Sequence, residues 1–195
     1  MRVLVACEFS GIVREAFSAR GHEAWSCDLL PTERPGNHIQ GDVLQVLNDG
    51  WDMMIAHPPC TYLASSGLHW NTRRPERATL TDDAIAFVMA LAHAPIPRIV
   101  IENPIGCLST RWRKPDQIIQ PWQYGHDASK ATCLWLHGVP PLIATSVLPG
   151  GRQTRRANQT ASGQNRLPPS KTRWKLRSIT YQGVADAMAN QWGAL

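Results

Sequence analysis

The stretch MMIAHPPCTYLASSG, Met53 to Gly67, runs an apolar strand straight into two prolines and a cysteine, and then into small and hydroxylated residues. Pro58 and Pro59 forbid both helix and ladder pairing, so the strand must stop and Cys60 is carried on a stiffened loop at its end. The segments on either side share this plan of an apolar strand ending in a special residue. Arg2 to Ala6 is a short β-rich run followed by the turn residues Glu8-Phe9-Ser10-Gly11. Ile12, Val13, Ala16 and Phe17 then give helical spacing that Gly21 closes. HEAWSCD reads as a second strand ending in Asp28, with a loop marked by Pro31, Pro35 and Gly36. HIQGDVLQVL supplies a third short strand with Gly41-Asp42 at its tip, and Trp51 to His57 is the fourth.

Beyond Gly67, Thr81-Asp82-Asp83 offers a hydroxyl cap and first-turn acids, so a helix is predicted from Thr81 through AIAFVMALAHA to Pro95. RIVIEN is a buried strand carrying Glu102 and Asn103 at its end. IIQPWQYG and ATCLWLHG are further strand candidates, and QGVADAMANQW is a closing helix. Strands alternating with helices predict an α/β fold whose central sheet is mostly parallel, with helices on both faces. In such sheets ligands bind beyond the carboxyl ends of the strands. Phe9 to Gly11, Asp28, Asp42, Pro58 to Cys60 and Glu102 to Pro104 all fall there.

The chain has 195 residues, 43% hydrophobic and 18% charged, enough for one proper core and short for two, so residues 1–195 are expected to form a single domain. No apolar run is long enough for a signal-peptide core or a membrane span, which leads to the expectation of a soluble, cytoplasmic protein. The five cysteines are odd in number and widely spaced, with no C-x-x-C pair, which argues against a disulfide framework or a zinc site. No metal is expected. Net charge is +5 and unevenly distributed. From Gly151 to Tyr181 lie Arg152, Arg155, Arg156, Arg166, Lys171, Arg173, Lys175 and Arg177, without one acid, so residues 151–178 can attract a polyanion. The plainer reading of that run is a solvated loop.

The strand-end residues suggest a division of labour. Gly11 lets backbone N–H groups approach a nucleoside-bearing cofactor while the next helix presents its positive end. Asp28 can accept from two ribose hydroxyls and Asp42 from an adenine amine, although either acid alone reads as a turn former. A lone cysteine is more often a small buried hydrophobe than a nucleophile, but the loop position of Cys60 favours the reactive reading. A thiolate there can attack an electron-poor carbon, and Glu102 can hydrogen-bond or protonate the ring under attack. A carboxylate in an apolar strand must raise its pKa or find a partner, so Glu102 is not expected to be idle.

HPPCTY and IENP together resemble the proline-cysteine and glutamate-asparagine motifs of DNA cytosine methyltransferases acting at carbon 5, and EFSG is similar to their cofactor turn. The order EFSG, SCDLLP, GDVL, HPPC, ENP, SKATCLWL resembles the small phage and prophage members over residues 3 to 142. The resemblance implies a Rossmann-like methyltransferase fold and S-adenosylmethionine as donor. It would put Phe9, Ser10, Gly11 and Pro58 on that cofactor, Asp28 at its ribose and Asp42 at its adenine. It further implies that Cys60 attacks carbon 6 of cytosine, that Glu102, with Asn103 beside it, stabilises the protonated ring nitrogen, and that Pro59 lies against the base. The cytosine of DNA would have to be flipped out or single-stranded.

Several positions depart from the larger family's pattern. Ile12 and Val13 replace further glycines, Thr61 follows the cysteine, and Pro104 follows Glu102-Asn103. Lys130 is the candidate for the missing base-holding arginine, against the reading of a surface lysine. With no room for a separate recognition domain, Arg152, Arg155, Arg156, Lys171, Arg173, Lys175 and Arg177 are expected to contact DNA phosphates. Trp174 could stack on a base. Cys7, Cys27, Cys107 and Cys133 read as structural. The competing readings are an exocyclic-amine methyltransferase, the same chemistry on RNA or nucleotides, and a non-catalytic nucleic-acid-binding module.

Overall fold

The computed structural model describes residues 1–195. Five strands run parallel: β1 (Arg2–Ala6), β2 (Glu23–Asp28), β3 (His38–Gln40), β4 (Met53–Ala56) and β5 (Ile99–Pro104). β6 (Gln117–Ile119) and β7 (Thr132–His137) complete one seven-stranded sheet of order β3-β2-β1-β4-β5-β7-β6, with β7 antiparallel to both β5 and β6. The central strands VLVA, MMIA and IVI read as unbroken apolar runs because both of their faces are covered.

Alternate side chains sort to the two faces, as the pleat requires. Val3, Val5, Met53, Ile55, Val100 and Leu134 meet α1 (Ile12–Ser18) and α6 (Gln182–Trp192) on one side. Leu4, Ala6, Met54, Ala56, Ile99, Ile101 and Trp135 meet α3 (Pro75–Ala92) and Leu108 of α4 (Leu108–Arg111) on the other. Of two short helices, α2 (Ser65–Leu68) packs Leu68 against this second face, and α5 (Arg173–Ser178) has no buried residue. The mostly parallel sheet with helices on both faces agrees with the expected α/β class.

One element starts earlier than its sequence suggested. α3 begins at Pro75, six residues before Thr81, because a proline at the first helical position gives up only an N–H that would be unpaired anyway. Thr81 is therefore inside the helix, buried, with its hydroxyl donating to the Tyr62 carbonyl at 3.0 Å. It ties α3 to the loop after Cys60 instead of capping a helix.

The topology also fixes where a ligand can sit. β1 has β2 on one side and β4 on the other, so the strand order reverses there and a crevice opens beyond the carboxyl ends of β1 and β4. Because β7 runs backwards against β5, its first residue Thr132 pairs with Pro104 at the end of β5. That reversal brings Lys130 and Thr132 to the same edge as Glu102. No helix is long and apolar enough to cross a membrane.

α6 closes one face through Trp192, a fully buried indole whose Nε1–H donates to the Pro140 carbonyl at 2.9 Å. Trp192→Ala should lower the stability by about 3–5 kcal/mol, seen in urea as a lower midpoint at unchanged slope.

Candidate active site

The turn after β1 is built around a carboxylate. Buried Glu8 accepts from the Val13 and Arg14 backbone N–H groups at 2.7 and 3.2 Å, and from the Ser10 hydroxyl at 3.2 Å. The positive end of α1 is thus taken up by Glu8, which corrects the expectation that it would face a cofactor. Ser10 serves the same internal cap. Gly11 has φ +73°, and a Cβ there would press on the Arg14 guanidinium. Arg14 is buried, and it donates to Ser26, Thr32 and the Arg34 and Pro35 carbonyls at 2.9–3.2 Å, clamping the β2–β3 loop onto α1. Phe9 lies beneath α5, with its ring 6.5 Å from that of Trp174 and 4.9 Å from the Lys175 ammonium. The two rings meet at 66° in an edge-to-face arrangement, and Trp174 stays exposed.

The two acids divide. Asp28 is half-buried at the end of β2, and burial lifts its pKa above the ordinary value, while the Leu30 amide bonded at 2.9 Å draws it back. Asp42 is exposed, with Oδ1 capping the 3-10 turn Val43–Gln45 through the Leu44 N–H at 3.0 Å. Each acid accepts from the backbone N–H two residues on, so both form local turns, and Asp28 differs in being half-buried.

The loops after β4 and β5 are joined to each other. Buried Asn103 donates from Nδ2 to the Pro58 carbonyl at 2.8 Å. The Cys107 N–H donates to the Leu63 carbonyl at 2.9 Å and the Ser65 N–H to the Ile105 carbonyl at 3.0 Å, on either side of an antiparallel bridge between Ala64 and Gly106. A Cβ on Gly106 would collide with the Leu63 carbonyl oxygen, so only glycine allows this approach. Asn103 consequently acts on the cysteine loop and holds it. Pro58 is buried, Pro59 exposed, and Cys60 presents an exposed residue at the crevice.

Charges around Cys60 compete. Partial desolvation pushes the thiol up from its ordinary value, the Glu102 charge pushes it further, and Lys130 and Arg177 oppose them. The net shift is upward, so the unliganded protein holds a thiol at neutral pH and the attacking thiolate has to be generated in the site. Glu102 is buried at the end of β5. Burial alone would raise its pKa, but the His57 hydrogen bond, the Lys130 charge and the Thr132 hydroxyl outweigh it and hold the carboxyl below its ordinary value. Lys130 is half-buried, donates to the Ile179 carbonyl at 3.2 Å and lines a cleft with Glu102, Thr132, Thr180, Tyr181 and Met188. This cleft lies between the ends of β5 and β7 and the start of α6, on the Glu102 side of the sheet edge.

The basic segment is not uniform. Arg152, Arg155, Arg166, Lys171 and Arg177 are exposed. Arg156 is buried, donating to the Pro149 and Gly151 carbonyls at 3.1 Å each and lying 3.6 Å from Asp127, which removes it from the phosphate-binding set. Lys175 pairs with Glu33 at 2.7 Å, and Arg173 is half-buried.

Sequence reading overlooked two features. The loop behind Cys60 carries a second basic cluster, with Arg73 and Arg74 5.4 and 5.2 Å from the Trp70 ring and Arg77 4.7 Å from Tyr62. The signal was available in HWNTRRPER, where cations crowd an aromatic. The other is His57, whose Nδ1 lies 2.7 Å from Glu102 Oε2. All five cysteines are free, and no three His, Cys, Asp or Glu side chains group as metal ligands.

No protein-family model and no curated protein matches the chain. Among solved structures it is similar to the crystal structure of a candidate DNA modification methyltransferase encoded within a prophage of E. coli, at 13% identity and TM-score 0.49. The match covers 76% of this chain and 52% of that one, so the chain spans about half its length. A likeness this distant carries no argument about activity, which rests on the crevice itself.

The charges around Cys60 set a pH test. The rate of alkylation by iodoacetamide, corrected with Cys60→Ser, should rise with pH through a midpoint above the ordinary thiol value. Glu102→Gln removes a negative neighbour and should move the midpoint down, whereas Lys130→Met removes a positive one and should move it up. Shifts of the opposite sign would separate these groups from the thiol.

Proposed function

We propose that this chain is an S-adenosylmethionine-dependent DNA methyltransferase acting at carbon 5 of cytosine. The observation that carries the reading is the meeting of an accessible cysteine and a buried, ionised glutamate at neighbouring strand ends, beside the switch-point crevice of a mostly parallel sheet. A nucleoside cofactor suits the β1–β2 side, where the Asp28 carboxylate stands half-buried at a strand end and the His57 Nε2 atom is buried without a partner. Bound there, S-adenosylmethionine supplies an electrophilic methyl group.

The residues of the chain provide the remainder. Cys60, once deprotonated, forms a bond from sulfur to carbon 6 of an unstacked cytosine, and the electron pair of the ring double bond becomes available at carbon 5. Glu102, held as a carboxylate, takes up the proton that Cys60 gives up and passes it to the ring nitrogen, then accepts hydrogen bonds from that N–H and from the exocyclic amine, stabilising the positive charge that makes carbon 6 electrophilic. After methylation water takes the carbon 5 proton, the double bond re-forms as the thiolate leaves, and the ring-nitrogen proton returns to the sulfur by way of Glu102. Asn103 and the bridge at Gly106 hold the cysteine loop against the end of β5, which limits how far sulfur and carboxylate can drift apart.

The exposed cations suit a nucleic-acid polymer more than a free nucleotide. Arg152, Arg155, Arg166, Lys171 and Arg177 offer phosphate contacts, and Trp70 with Arg73 and Arg74 offers an aromatic face flanked by guanidinium groups beside the cysteine loop. Flipping a base costs a few kcal/mol, and such contacts would offset it.

Incubation with labelled S-adenosylmethionine and DNA, followed by nucleoside analysis, should give 5-methylcytosine. Cys60→Ser should reduce it by about 10⁴-fold or more. An N-methylated base would show that the exocyclic-amine reading is right, and transfer to RNA alone would move the substrate. Cofactor and DNA binding without transfer would leave a binding module.

A further inference from the structure

His57 stands between the two halves of the crevice. It directly follows β4, and its backbone N–H donates to the Ala6 carbonyl at 2.9 Å, so the sheet itself fixes where the ring begins. Its side chain is only 9% exposed, and Nδ1 makes the 2.7 Å contact to Glu102 on the β5 side. Nε2 is buried with no hydrogen-bond partner. Imidazole nitrogens point to opposite edges of the ring, so Nε2 is directed away from Glu102. Asp28, at the end of β2, lies within electrostatic reach of this ring. An ionised carboxylate can only accept, which assigns the proton to Nδ1 and leaves Nε2 as an acceptor in the neutral ring.

We propose that His57 is a positioning residue joining the two subsites: its Nδ1–H fixes the Glu102 carboxylate toward the base, and its Nε2 accepts a hydrogen bond from an N–H or O–H donor of the bound cofactor. The inference rests on the methyltransferase reading for the identity of that cofactor. It accounts for a buried acceptor that has no hydrogen-bond partner within the protein. Glu102 from β5 is hydrogen-bonded to the ring, Asp28 from β2 lies within electrostatic reach of it, and Lys130 and Thr132 act on it through Glu102.

The test combines a spectrum, a binding constant and a cycle. Side-chain ¹⁵N NMR of the free protein should show His57 protonated at Nδ1, and titration with S-adenosylmethionine or S-adenosylhomocysteine, without DNA, should shift its Nε2 resonance. His57→Phe should weaken binding of S-adenosylmethionine about 10-fold, the worth of one hydrogen bond, while Glu102→Gln leaves it within about twofold of the unaltered protein. In methyl transfer, the double variant should have a kcat no lower than that of Glu102→Gln, because the histidine acts on the base through the glutamate. His57→Gln, which can make one of the two bonds but not both, gives the same comparison if the phenylalanine variant does not fold. Unchanged cofactor affinity in the His57 variants with an unmoved Nε2 resonance, or multiplicative losses in kcat, would overturn the proposal. Cofactor binding without 5-methylcytosine would sink the cytosine-5 reading alone, since the spectrum and the binding constants still decide the histidine. Failure of the unaltered protein to bind either cofactor form would sink both.

Discussion

The pairing of β4 with β5 is the constraint on which the site depends. Ala56 and Ile101 are the last register partners, and beyond them the chains diverge into a proline-cysteine loop and a glutamate-asparagine strand end. What keeps these ends together is polar: His57 to Glu102, Asn103 to Pro58, and the backbone bridge from Leu63–Ser65 to Ile105–Cys107. Each of these bonds is modest in net terms, about 0.5–1.5 kcal/mol, but leaving any of their buried groups unpaired is more expensive. Cys60 is held near Glu102 by a network that loses more by breaking partly than by staying whole.

That arrangement sets the electrostatic state of the unliganded protein. Glu102 is ionised despite burial because His57, Thr132 and Lys130 converge on it, and its charge in turn helps keep the Cys60 sulfur protonated. In the proposed reaction, a base engaging Glu102 would remove part of the repulsion, and phosphate contacts that pull Arg177 away would act in the opposite sense. Lys130 favours the charged form of both groups, which explains why a half-buried lysine is placed where β7 begins.

Much of the architecture was legible in the amino-acid order because it depends on local signals. The apolar runs of β1, β4 and β5, Gly21 after α1, and QGVADAMANQW as α6 all follow from periodicity and turn chemistry. The start of α3 was not, since Thr81-Asp82-Asp83 mimics a cap that Pro75 pre-empts. The strand ends named Cys60, Glu102 and Asn103 as residues of one edge, and the structure places them together. Their partners were hidden for a physical reason: His57, Lys130 and Thr132 reach Glu102 only through strand pairing and the reversal of β7, which no local pattern encodes. Glu8 looked like turn chemistry and is instead a buried cap, and Arg156 looked like a phosphate ligand and is instead bound to backbone carbonyls. In both cases burial, invisible in a single sequence, decides what a charged side chain does.

The central claim is that the Cys60 sulfur bonds covalently to a cytosine ring beside the cofactor crevice. It is tested most directly with DNA carrying 5-fluorocytosine, whose carbon 5 cannot lose a proton after methylation. With S-adenosylmethionine present, the account predicts a protein–DNA adduct that survives denaturation, with its mass shift mapping to the peptide containing Cys60 and absent in Cys60→Ser. An adduct that persists in Cys60→Ser, or methyl transfer to unmodified DNA with no trapped species from the fluorinated strand, would contradict it.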